Sequence, residues 1–133
     1  NSRKRRKVKR KSNIIDVGGG GDCFYRVVAH QLDMKPSQFM IIRRKVANYL
    51  IENKNNYLML FESENEFNNF VSSTGKKGNW CEGQIEMQAV SKIFNVNLNI
   101  IDDNENVTNI NVDNPKKTLK IYHEIDFHFK SIK

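Results

Sequence analysis

Along the chain the apolar positions change period once, and that change divides the fold into a helical and a stranded half. Phe24, Val27, Val28 and Leu32 recur near i, i+3, i+4 and i+8, the stripe of an amphipathic helix that opens at Cys23. Pro36 and Ser37 suit a second helix start, because proline is tolerated in a first turn. Phe39, Ile42, Val46, Tyr49 and Leu50 carry its stripe to an end near residues 53–56. A third helix is predicted over residues 64–72 through Phe67, Phe70 and Val71. The polar loop 73–79 then delivers Trp80, and a fourth helix is predicted over residues 83–94. Beyond Phe94 the period shortens to two: Val96, Leu98 and Ile100 alternate with Asn97 and Asn99, as in a half-buried strand. The turn-forming run 102–106 joins this strand to residues 107–112 in an expected hairpin, and Asn114-Pro115 breaks the chain again. Residues 118–123 and 125–131, rich in Ile, Tyr and Phe, complete the strands. Helices followed by strands predict an α+β domain rather than a doubly wound sheet.

Upstream of Ile14 there is almost nothing to bury. Residues 1–13 are therefore expected to be a basic tail, with the folded domain over residues 14–133. Eight of the 22 Lys and Arg residues lie between Arg3 and Lys11, and all 15 acidic residues lie beyond them, so the net charge of +7 belongs to the tail. The folded part carries 14 basic against 15 acidic side chains. A nucleic-acid-binding domain led by the tail is disfavoured on that ground, and a targeting or nuclear-import role for residues 3–11 fits better. No apolar run approaches the roughly 18 residues of a membrane span, so no membrane partner is expected. A chain of 133 residues is long enough to bury one core without disulfides or structural metals. Two cysteines, Cys23 and Cys81, fit an intracellular, reducing compartment better than a disulfide framework. The His and Cys residues lack zinc-ligand spacing apart from His123 and His128, so neither metal nor cofactor is expected.

Four consecutive glycines, Gly18 to Gly21, precede Asp22-Cys23. Glycines let several backbone N–H groups converge, and a helix N-terminus adds positive partial charge, so both favour a Cys23 thiolate. The N–H groups of Gly20, Gly21, Asp22 and Cys23 can also receive the oxyanion of an acyl-transfer intermediate. A plain buried cysteine behind a glycine loop is the competing reading. Of the three histidines, His30 lies about 10 Å along the same helix from Cys23, too far for a hydrogen bond. His128 stands in Asp126-Phe127-His128-Phe129, where strand alternation sets Asp126 on the His128 face; such a carboxylate can fix the imidazole tautomer.

Three blocks, Gly20-Gly21-Asp22-Cys23-Phe24-Tyr25-Arg26, Trp80 with Ile85-Glu86-Met87-Gln88-Ala89-Val90, and His128-Phe129-Lys130-Ser131-Ile132, resemble in order and spacing the signature blocks of the ovarian-tumour (OTU) cysteine proteases. The resemblance implies a papain-related α+β fold, with a small, mostly antiparallel sheet packed by helices. It implies a monomeric deubiquitinase acting on ubiquitin or polyubiquitin, with Cys23 as nucleophile, His128 as base, the backbone of Gly20 to Cys23 as oxyanion hole and Trp80 as a wall of the substrate channel. A catalytically inactive ubiquitin-binding module is the alternative. The chain departs from the family pattern at Gly20, where an Asp is common, and at Lys130, where several members carry Asp or Asn. Lysine cannot accept the imidazole proton, which leaves Asp126 as the orienting residue, with Asp22 a weaker substitute.

Overall fold

The structure, a computed structural model, describes residues 13–124 and 128–133. The basic run 3–11 and Asp126 lie outside the described residues. Strand β1 (Ile14–Ile15) leads through the glycine run to helix α1 (Cys23–Gln31). Of its residues all but Arg26 and His30 are buried, so α1 is the central helix and not a surface one. A 3-10 turn at Pro36–Gln38 takes the place expected for a helical first turn, and α2 follows as Phe39–Glu52. The short α3 (Lys54–Tyr57) comes next. Helix α4 (Glu64–Thr74) begins where the Ser63 side chain accepts a hydrogen bond from the Glu66 N–H at 3.2 Å, a regular N-cap. Helix α5 (Gln84–Phe94) ends at Asn95 with φ 54°, the left-handed cap that Asn tolerates.

The strands are β2 (Asn97–Asp102), β3 (Val107–Ile110), β4 (Thr118–His123) and β5 (Phe129–Ile132), in the sheet order β1-β5-β4-β2-β3. The expected hairpin is β2-β3, and β4 occupies the expected residues. Three of the four pairings are antiparallel; β2 and β4 run parallel, a pairing that the sequence pattern does not announce. The crossing segment passes the start of β2 and is fastened there. Asn97 N–H donates to the Lys117 carbonyl at 3.0 Å, Lys116 N–H to the Asn95 carbonyl at 2.8 Å, and Val112 N–H to the Asn97 side chain at 2.9 Å. Phe24 and Val28 of α1, Ile42 and Val46 of α2 and Val90 of α5 meet Leu98, Leu119 and Ile121 of the sheet in one buried core. Among the described residues no helix is long and apolar enough to cross a membrane.

The chain end is clipped to α1 by side chains. Gln31 donates through Nε2 to Ser131 Oγ at 2.7 Å and to the Ile132 carbonyl at 2.9 Å, and its Oε1 accepts from the Lys120 N–H at 3.1 Å. Ser131 Oγ, already an acceptor from Gln31, also lies 2.8 Å from His30 Nδ1. Burial, with Lys133 nearby, depresses the His30 pKa, and burial depresses His123 as well. Below about pH 6.5 the unfolded imidazoles therefore bind protons that the folded ones resist, and stability falls as pH falls towards the lowered folded values. The urea midpoint at pH 5.5 is expected below that at pH 7.5, with a smaller gap in His30→Gln. Equal midpoints in the native chain would show that these imidazoles titrate alike in both states.

Candidate active site

The segment from Asp16 to Cys23 folds back on itself. Asp16 Oδ1 accepts from the Gly18 N–H at 3.0 Å, and the Cys23 N–H donates to the Gly20 carbonyl at 3.2 Å, closing the turn at the start of α1. Gly20 has φ +82°, a conformation that side chains disfavour. Gly21 is required for space: a Cβ there would lie 1.8 Å from the Gly78 carbonyl oxygen.

Cys23 is 1% exposed at the first position of α1, and its sulfur accepts from the Phe129 N–H at 3.4 Å, across from β5. Burial raises its pKa, against the opposing N–H groups of Phe129, Phe24 and Cys23 itself. Desolvation thus works against the stabilisation of a thiolate that the helix N-terminus offers. Cys81 is pushed up further, by burial and the adjacent Glu86, and no disulfide joins it to Cys23.

His128 immediately precedes β5. Its ring lies against Gly19, where an added Cβ would come within 3.6 Å of Cε1, and its Nε2 is 3.1 Å from Asp16 Oδ1. The strand register explains the meeting: Ile14 pairs with Ile132 and Ile15 with Ser131, so Asp16 leaves β1 beside the residues that open β5. The Gly18 N–H, then His128 and Lys130, hold the Asp16 carboxyl below its ordinary pKa despite some burial. Asp16 is thus a carboxylate at the histidine that the sequence reading missed, while Asp126 lies outside the described residues. Lys130 is occupied by Glu124 at 2.5 Å. His30 is engaged with Ser131, away from Cys23.

Trp80 is 49% exposed and lines a cavity of about 750 Å³ with Cys81, Met87, His123 and Phe129. His123 stacks on Phe129 at 4.1 Å and so belongs to that wall. Glu86 accepts from the Glu82 N–H at 2.5 Å, which fixes the chain between Trp80 and α5. Among the described residues no cluster of three or more His, Cys, Asp or Glu has the geometry to hold a metal ion.

A second residue missed in sequence is Arg43, wholly buried in α2. Its Nε donates to Asp22 Oδ1 at 2.8 Å, Nη1 to the Thr74 carbonyl at 2.8 Å, and Nη2 to the carbonyls of Gly21 at 2.9 Å and Asn79. Asp22 Oδ1 also accepts from the Gly78 N–H at 2.8 Å, and the guanidinium lies 4.2 Å from the Tyr25 ring centroid. The signal was present: position 43 shares the buried face of α2 with Phe39, Val46, Ala47 and Leu50.

A thiol at a helix start, the residue after a histidine donating to that thiol, and a carboxylate on the imidazole are parts that a cysteine hydrolase uses. The chain belongs to the OTU-like cysteine protease family, whose model matches residues 18–131. It is 28% identical over 85 residues to the Arabidopsis thaliana ovarian tumor domain-containing deubiquitinating enzyme 7, covering 64% of this chain and 22% of that protein. The chain therefore spans less than a quarter of that relative's length. The fold is similar to that of the OTUD1 OTU domain, with a TM-score of 0.80, 18% identity, and coverage of 98% and 92% of the two chains. An OTU domain solved in complex with ubiquitin gives a TM-score of 0.73 at 19% identity, covering 89% of this chain and 67% of that one. An OTU deubiquitinase from Wolbachia pipientis wMel gives 0.65 at 15% identity, with coverage of 89% and 85%.

Because Gly21 and Gly78 touch through backbone, Gly21→Ala must separate the nucleophile turn from the loop before Trp80. A loss of about 1–3 kcal/mol is expected by urea denaturation. An unchanged midpoint would mean that the two backbones are not in contact.

Proposed function

We propose that the chain is a cysteine deubiquitinase that cleaves the isopeptide bond following the C-terminal Gly-Gly of ubiquitin. The observation that carries the reading is the Asp16–His128 pair set beside a Cys23 that opens a helix behind a glycine turn. Membership of the cysteine protease family and the likeness to an OTU domain in complex with ubiquitin support the substrate. Cys23 gives its proton to His128 Nδ1, since Nε2 faces Asp16, and the sulfur attacks the carbonyl carbon. His128 then protonates the departing lysine amine as the C–N bond breaks, leaving a thioester that water hydrolyses. Backbone N–H groups of the Gly20 to Cys23 turn would receive the developing oxyanion, and the exposed Trp80 would wall the channel that admits a glycine-rich tail.

Because burial raises the Cys23 pKa, the proposed mechanism asks His128 to act as general base with Asp16 as its carboxylate partner. Asp16→Asn is expected to lower kcat about ten- to a thousandfold with little change in KM on di-ubiquitin, since an amide supports the imidazolium poorly. Asp126→Asn, assayed alongside, is expected to stay within about threefold; the reverse ranking would return the orienting role to Asp126. Cys23→Ala should abolish cleavage while Cys81→Ala is nearly silent. A wild-type chain that neither cleaves any di-ubiquitin nor is labelled at Cys23 by a ubiquitin C-terminal electrophile would refute the proposed activity.

A further inference from the structure

The buried Arg43 is larger and more highly coordinated than packing of α2 demands, and all four of its carbonyl and carboxylate acceptors belong to two segments, residues 21–22 and residues 74–79. One of those acceptors bears directly on chemistry. A trans peptide is planar, with its C=O and the following N–H pointing in opposite directions. By drawing the Gly21 carbonyl onto Nη2 at 2.9 Å, Arg43 sets the N–H of Asp22 pointing away from the guanidinium. The Asp22 side chain cannot swing to compete, because its Oδ1 is held by both Arg43 Nε and the Gly78 N–H. Nor does it cap α1, although Asp22 is the N-cap residue. The geometry points to Arg43 as a positioning residue that presents the Asp22 N–H as an oxyanion donor for acyl transfer at Cys23.

This inference deepens the hydrolase reading and rests on it, but its test does not require ubiquitin. Acylation of Cys23 by p-nitrophenyl acetate passes through a tetrahedral oxyanion: sulfur bonds to the carbonyl carbon, the thiol proton goes to His128, and p-nitrophenolate leaves. Alkylation by iodoacetamide displaces iodide at a saturated carbon and forms no oxyanion. Both rates would be measured on the full chain, mapped to Cys23 by mass spectrometry and corrected with Cys23→Ala. Arg43→Lys keeps the charge but cannot reach all four acceptors, so acylation is expected to fall about a hundredfold while alkylation stays within about threefold. A parallel fall in both rates would mean that Arg43 serves the fold or the thiol alone.

Arg43→Lys is accompanied by Asp22→Ala and Asp22→Asn, with circular dichroism establishing which variants fold. Asp22→Asn retains an acceptor and should keep the acylation-to-alkylation ratio, whereas Asp22→Ala releases Nε and Gly78 and should lower it. A wild-type measurement completes the set: binding acetyl-glycyl-glycinal as a hemithioacetal should move the Asp22 amide resonance downfield. An Asp22 amide that does not respond, or a ratio unchanged in Asp22→Ala and in any folded Arg43→Lys, would overturn the proposal. Loss of di-ubiquitin cleavage with acetate transfer intact would instead refute the ubiquitin reading and leave this one standing.

Discussion

A guanidinium with no exposure to water has five N–H groups to satisfy, and the whole front of this domain is arranged around Arg43 doing so. Removing one partner of such a buried pair typically costs about 3–5 kcal/mol, because the other charge stays desolvated. Asp22 supplies the opposite charge, while the remaining donors need carbonyls that helix α2 cannot offer, since its own carbonyls are committed within the helix. The chain answers by bringing two non-helical segments onto Arg43: the end of the glycine turn, and the stretch that leaves α4. Their approach explains the glycine at position 21 through the 1.8 Å a Cβ would leave to Gly78. Trp80 follows Asn79 directly, so the same contact sets where the exposed indole stands relative to Cys23.

The other half of the site comes from the opposite end of the chain by strand pairing. Cys23 sits at the start of α1, whereas His128 precedes β5, and the Phe129 N–H reaches across to the Cys23 sulfur. Packing of Phe24 against Phe129, with ring centroids 5.2 Å apart, locks this approach through the residues that follow each functional group. The Gln31–Ser131 clip secures the far end of the same helix and strand. Helix α1 and strand β5 are thus tied at both ends, which fixes where the chain carrying His128 enters β5 relative to Cys23. Asp16 joins them because β1, only two residues long, is the edge partner of β5.

Which of these features the sequence displays follows the range of the interactions involved. The helix stripes, the hairpin and β4 rest on local periodicity, and the observed bounds stay close to it. The parallel β2-β4 pair does not, because nothing local distinguishes a strand that returns beside its hairpin from one that extends it. Asp16 escapes for the same reason: its neighbour His128 is 112 residues away, and β1 is too short to show alternation. The choice of Asp126 rests on local alternation alone, and that residue lies outside the described residues, whereas Asp16 meets His128 through the pairing of β1 with β5. Arg43 was legible in principle, as a charge on an apolar face. Its function was not, since four acceptors from segments 21–36 residues away define it.

The raised thiol of Cys23 and its place at a helix start are two sides of one compromise. Positive partial charge at the α1 N-terminus and the inward N–H of Phe129 both favour sulfur as an anion, yet the packing that brings Phe129 close also strips water from it. A donor set strong enough to overcome that burial would give a permanent thiolate, open to oxidation and to alkylation by any small electrophile. In the proposed mechanism charge develops at sulfur when His128 takes the proton, and the N–H groups already aimed at it would then strengthen their bonds at no reorganisation cost. That mechanism would shift the burden of catalysis from the nucleophile's own acidity to the imidazole and its carboxylate. It suits a chain in which Asp16 is held ionised by the Gly18 N–H and Lys130 is turned aside by Glu124, so that the histidine meets a negative partner rather than a positive one.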